Sequence, residues 1–151
     1  MKRFWLWAAF GAYCLLMVWL LFGQRMAQLQ YADYALQLQE NINLLPLDTV
    51  RRFLWVLRNS DQPGLRTHAI VNLFGNVAMF VPLGVLLPLL WEKLRRFRVF
   101  LPTTLAVIVG IELVQLVTLL GKCDVDDLLL NLVGVAIGFA ISALLTKLQK
   151  N

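Results

Sequence analysis

The sequence predicts an all-α membrane protein: a four-transmembrane-helix bundle with an extracytoplasmic segment of amphipathic helices between spans 1 and 2. Two observations carry this. Hydrophobic residues make up 60% of the 151 residues and charged residues only 15%, a balance foreign to soluble globular domains. The apolar residues gather into runs at 4–22, 70–91, 99–120 and 128–145. Each is at or near the ~20 residues a helix needs to cross about 30 Å of hydrocarbon. The chain, 1–151, reads as a single domain with no low-complexity tract.

The first run follows Lys2 and Arg3, as a signal peptide would. Its apolar stretch is too long, however, and Trp19, Leu20, Leu21 and Phe22 stand where a cleavage site needs small residues. It is expected to stay as a span. In the outer segment, 23–69, Met26, Leu29, Ala32 and Leu36 recur near helical spacing, predicting a helix over 26–40 that continues from the first span. Asn41-Ile42-Asn43-Leu44-Leu45-Pro46 ends it, since proline disfavours a helical residue before it. A second helix is predicted over 47–58, with Leu47, Val50, Phe53, Leu54 and Leu57 on one face and Arg51, Trp55 and Arg58 on another. Asp48 suits its positive N-terminal end. Two readings stand: a helix lying in the headgroup layer, or a helix capping the bundle. Ser60-Asp61-Gln62-Pro63-Gly64 is a turn-rich entry to the second span.

In that span Pro82, with Gly84 beside it, removes a backbone hydrogen bond and kinks the helix, and Pro88 adds to the irregularity. The fourth span carries Gly134 and Gly138, a GxxxG step that admits a neighbouring backbone closely.

Charge sets the expected orientation. Lys93, Arg95, Arg96 and Arg98 place the loop between the second and third spans in the cytoplasm, and Lys2, Arg3, Lys147 and Lys150 place both termini there. The loop before the fourth span sets Lys122 against Asp124, Asp126 and Asp127 and belongs outside. The segment 23–69 must then also lie outside. It holds Arg25, Arg51, Arg52, Arg58 and Arg66, partly offset by Asp33, Glu40, Asp48 and Asp61; being long, it weighs less. The net charge of +5 does not point to nucleic acid, because the basic residues cluster at span ends rather than forming a stripe interleaved with aromatics. Cys14 and Cys123 sit at different depths and are not expected to pair.

Several polar residues interrupt the apolar runs. Asn72 and Asn76 are four apart and share a helix face; Glu112 and Gln115 are three apart and do the same; Asp127, Asn131, Gly134 and Gly138 form one stripe. All fall in the half of their spans expected to be outermost. They are either hydrogen-bonding glue between helices or a polar chamber for a ligand. Glu112 favours the chamber, since an amide would have served as glue at a lower desolvation cost. Asp124, Asp126 and Asp127 are a solvated acidic loop or the rim of that site. No Ser/His or Cys/His arrangement, HExxH or P-loop occurs; the lone His68 reads as incidental, a metal at Glu112, Asp126 and Asp127 is only weakly signalled, and no cofactor is implied.

The ordered set Asn43-Leu44-Leu45-Pro46, Asn72-Leu73-Phe74-Gly75-Asn76, Phe80-Val81-Pro82-Leu83-Gly84, Glu112-Leu113-Val114-Gln115, Asp124-Val125-Asp126-Asp127 and Asn131 with Gly134 and Gly138 resembles the successive motifs of the VanZ-like family. The resemblance runs from about Asn43 to the C-terminus. It implies a small multi-pass protein of the bacterial inner membrane, associated through the family's namesake with teicoplanin resistance. It maps a ligand-binding set onto Asn43, Asn72, Asn76, Glu112, Gln115, Asp126, Asp127 and Asn131. One departure is Lys122, where relatives often carry arginine; lysine keeps the charge and loses the planar fork. Three functions follow: binding of a membrane lipid or envelope amphiphile at the outer leaflet, a structural or assembly module, or an intramembrane enzyme using Glu112 and Asp127 as acid and base.

Overall fold

A computed structural model describes residues 2–23 and 34–148. Among these residues, four helices are long and apolar enough to cross a membrane. They are α1 (Lys2–Val18, extended by a π turn over Trp19–Gly23), α4 (Pro63–Leu90), α5 (Phe97–Val117) and α6 (Val125–Leu148). These are the four expected spans. Between α1 and α4 lie α2 (Tyr34–Glu40), the short strand β1 (Ile42–Asn43) and α3 (Asp48–Asn59); β2 (Cys123–Asp124) precedes α6. The predicted continuity of a helix from the first span through 26–40 falls largely outside the described residues, although its last turns are α2.

The bundle is organised by the seam between α4 and α6, the most extensive contact in the fold. Small residues make it possible. A Cβ on Gly134 would run into the Val77 carbonyl oxygen, one on Gly138 into that of Val81, and one on Gly84 into that of Val135. The backbones therefore touch at these glycines, as the GxxxG spacing predicts. The pairs ascend together along both helices, so α4 and α6 run parallel; α5, which joins them in sequence, packs against α6. Phe80, Leu83, Leu87, Phe100, Ile108 and Val135 form the core with Met17 of α1. Helix α4 runs through both Pro82 and Pro88.

Helix α1 is peripheral. It is tied in where the Tyr13 hydroxyl donates to the Met79 carbonyl at 2.9 Å, satisfying a phenol that hydrocarbon would leave unpaired. At the α4–α5 end, Trp91 meets Trp7 and Phe10 edge to face, with centroids 5.0 and 5.5 Å apart.

Helix α3 packs on the first turns of α4, where Phe53 lies edge-on to His68 at 5.6 Å. It differs from the sequence expectation in phase. Val50, Phe53, Val56 and Leu57 face inward, whereas Leu47 and Leu54 are exposed beside Trp55. Leu47 is the N-cap, in left-handed backbone geometry at φ 64°, and so stands outside the helical face. Leu54 lies about 100° round the helix from Phe53, the residue that meets α4, and so faces away from it.

The seam yields a test by substitution. Gly134→Ala and Gly138→Ala each force a methyl into a facing backbone and should cost about 1–3 kcal/mol, read as a lower melting temperature in detergent. Gly110 has nothing within 4 Å of an added Cβ, so Gly110→Ala should leave melting unchanged or raise it.

Candidate functional site

The polar residues picked out in the sequence gather at the α3 end of the bundle, where their hydrogen bonds fall into several groups. The largest group joins two segments about eighty residues apart. Strands β1 and β2 pair in parallel, Ile42 opposite Cys123 and Asn43 opposite Asp124, with the Cys123 amide donating to the Asn41 carbonyl at 2.8 Å. This register brings Asn43 beside Asp124. The Asp124 Oδ2 accepts from the Thr49 hydroxyl at 2.6 Å and from Asn43 Nδ2 at 3.2 Å, while its Oδ1 accepts the Asp126 amide at 2.9 Å. Asp124 is thus the N-cap of α6, and its second oxygen grips the start of α3.

Asp126 does the reciprocal work. It is fully buried. Its Oδ1 accepts the Leu47 amide at 2.5 Å and its Oδ2 the Val50 amide at 3.0 Å. Leu47 has no side-chain oxygen to cap α3, so a carboxylate from another helix supplies one. Left-handed geometry costs a leucine on the order of 1–2 kcal/mol. Charge-assisted hydrogen bonds, about 1.5–3 kcal/mol each, can offset it. Two positive helix ends, of α3 and α6, meet here, and the carboxylates of Asp48, Asp124, Asp126 and Asp127 stand among them.

Asn76 and Asp127 form a second contact: Asn76 Nδ2 donates to Asp127 Oδ1 at 2.6 Å across the α4–α6 seam. Asn131, one turn further along the same stripe, is buried, and its Oδ1 has no hydrogen-bond partner among the described residues. Gln115 turns elsewhere; its Nε2 donates to the Leu21 carbonyl at 3.2 Å, joining α5 to the π turn after α1. Glu112 is buried on α5 and lies close enough to Cys123 for its charge to act on that thiol. Asn72 joins none of these. It donates to the His68 carbonyl of its own helix at 2.9 Å. Of the eight residues mapped in the sequence, Asn43 and Asp126 therefore meet in one cluster and Asn76 and Asp127 in another. Among the described residues no group of three His, Cys, Asp or Glu side chains is placed to hold a metal ion.

Two residues absent from the mapped set complete the cluster. Asp124 was legible as an acidic N-cap immediately before an apolar helix. Thr49 carried no signal, because its role depends on pairing with a distant segment. Its hydroxyl also accepts from Arg52 Nη2 at 3.0 Å, and Arg52 pairs with Asp48 at 3.2 Å. Lys122 is exposed.

Burial, reinforced by the charges of Glu112 and Asp124, holds the Cys123 thiol above its ordinary pKa. Thiolate is therefore scarcer at neutral pH than in free cysteine. Maleimide labelling of Cys123 should keep accelerating at pH values where a free thiol has levelled off. Glu112→Gln removes one raising charge and should speed labelling at pH 7. For the cluster itself, Asp126→Asn should cost about 2–3 kcal/mol and Thr49→Val about 1 kcal/mol. Combined, the two should depart from additivity because they serve one contact, measured by thermal unfolding and by protease cleavage near Leu47.

A family model described as VanZ/LLP1 matches residues 10–146, most of the chain. No curated protein and no solved structure matches it.

Proposed function

The chain belongs to the VanZ/LLP1 family, and on that premise we propose that it is an envelope protein of the bacterial inner membrane whose α3 end engages a lipid or other amphiphile at the outer leaflet. The observation that carries this reading is the exposed face of α3. Leu47, Arg51, Leu54, Trp55 and Arg58 fall on one stripe, all exposed, combining apolar surface, an indole and two guanidinium groups. That composition suits the boundary between headgroups and acyl chains.

Depth supports it. Helix α4 has 28 residues, about 42 Å at 1.5 Å per residue, longer than the hydrocarbon is thick. Its first turns then emerge into the headgroup layer, and α3 packs there. The Asp124 and Asp126 carboxylates would hold the cap helix at a fixed height and rotation. In this reading Asn43 and Asp126 are positioning groups, while Glu112, Asn76, Asp127 and Asn131 form the polar interior beneath the ligand surface.

A second reading, a structural or assembly module, is favoured by one observation: the bonds of Asn43, Asp124, Asp126, Gln115 and Asn76 are all made within the chain. An acid–base enzyme has less support, because Asp127 already engages Asn76.

The readings part on one experiment. The chain is expressed in a teicoplanin-sensitive bacterium as wild type and as the triple variant Arg51→Gln, Trp55→Ala, Arg58→Gln. Amphiphile engagement predicts that the triple variant loses any gain in teicoplanin tolerance while its melting temperature stays within about 2 °C, as surface substitutions usually do. Tolerance that falls only in step with melting, across this variant and Asp126→Asn, favours the structural module. In intact cells an impermeant maleimide should reach Cys123; labelling only after lysis inverts the orientation.

A further inference from the structure

The opposite end of the bundle holds a separate feature. Between the end of α4, the turn over Glu92–Arg95 and the last turns of α6 lies a cavity of about 350 Å³. That volume is in the range of small-ligand sites, roughly 300–1,000 Å³. Arg95 and Lys147 line it with the buried Ser142, and Phe139 and Ala143 supply an apolar wall.

The arginine is held in place. Its Nε donates to the Pro88 carbonyl at 3.1 Å, which fixes the guanidinium plane and leaves the Nη donors for another acceptor. Around it Lys93, Arg96 and Arg98 are exposed, with Glu92 the acid of the same turn. The cavity lies at the end marked by Trp91 with Trp7 and Phe10, and such aromatic clusters belong at the level of lipid headgroups.

We propose that this cavity is a binding site for the phosphodiester headgroup of an anionic glycerophospholipid, in the leaflet opposite the α3 cap. The fork of Arg95 and the ammonium of Lys147 take the phosphate oxygens, Ser142 adds a hydroxyl donor, and Phe139 with Ala143 contacts the glycerol and first acyl carbons. Basic pockets between spans recognise anionic lipids on these terms. The proposal is independent of the reading of α3, since it concerns other residues at the other end.

The test uses the full chain purified in a neutral detergent, titrated with phosphatidylglycerol, phosphatidylcholine or inorganic phosphate and read by native mass spectrometry and thermal shift. Phosphatidylglycerol should bind and raise the melting temperature, phosphatidylcholine much less, and inorganic phosphate should not reproduce the shift. Lys147→Gln should weaken phosphatidylglycerol binding about tenfold, the loss of one charge-assisted hydrogen bond, and Lys147→Arg should restore it. Ala143→Leu keeps both charges and fills the cavity. It should weaken binding at least as much, so it serves as the measurement if Lys147→Gln does not fold. Equal binding of both lipids, an equal shift with inorganic phosphate alone, or unchanged phosphatidylglycerol affinity in both Lys147→Gln and Ala143→Leu each overturns the proposal.

Discussion

A buried carboxylate that caps a helix other than its own is the constraint on which the α3 end depends. Asp126 stands in the first turn of α6, yet its two oxygens take the Leu47 and Val50 amides at the start of α3. Helix α3 has no cap of its own. Without the carboxylate, the first amides of α3 would lose their partner, and a leucine would hold left-handed geometry with nothing to offset it. Asp124 closes the arrangement from the other side by capping α6 while holding Thr49 and Asn43. Each helix start thus depends on the other segment.

This junction stands on the close-packed α4–α6 seam. The backbones are in contact at Gly84, Gly134 and Gly138, and the Asn76–Asp127 bond joins the same pair of helices just below the cap. Polar residues in hydrocarbon are costly, and here most of them face a partner within the bundle. The two ends differ in character. One is stitched by carboxylates and amides into a closed cap, and the other is open, basic and aromatic.

Much of the fold was legible in the residues. Four apolar runs gave the spans because length against bilayer thickness is a strong constraint, and Gly134 with Gly138 marked the close seam because spacing alone sets which residues share a face. The stripe from Asp127 to Gly138 marked Asp127 as facing the bundle, whereas the burial of Asp126 was not legible from spacing, which left it in a solvated loop or a site rim. What stayed hidden was non-local. The pairing of Asn43 with Asp124 spans the chain from before α3 to after α5, and no local pattern encodes it. Thr49 looked like any threonine in a helix start. The face of α3 was misassigned at Leu54 because the side that packs on α4 is centred on Phe53, and the apolar pattern alone does not show which edge of a broad stripe meets a neighbour. Asn72 and Asn76 have identical spacing credentials, yet only the latter reaches α6, since the former bonds back to its own turn.

The parallel pairing of β1 with β2 also bears on how the molecule is made. Ile42 cannot find Cys123 until the ribosome has delivered two further spans, α4 and α5, and the short strand that follows them. Through that interval the α3 segment waits as a tethered amphipathic peptide, and closure of so long a loop comes late because its entropy must be met before the contact is rewarded. Arrival of α6 then completes the fastening through Asp126, so a chain truncated before α6 would lack the carboxylate that caps α3.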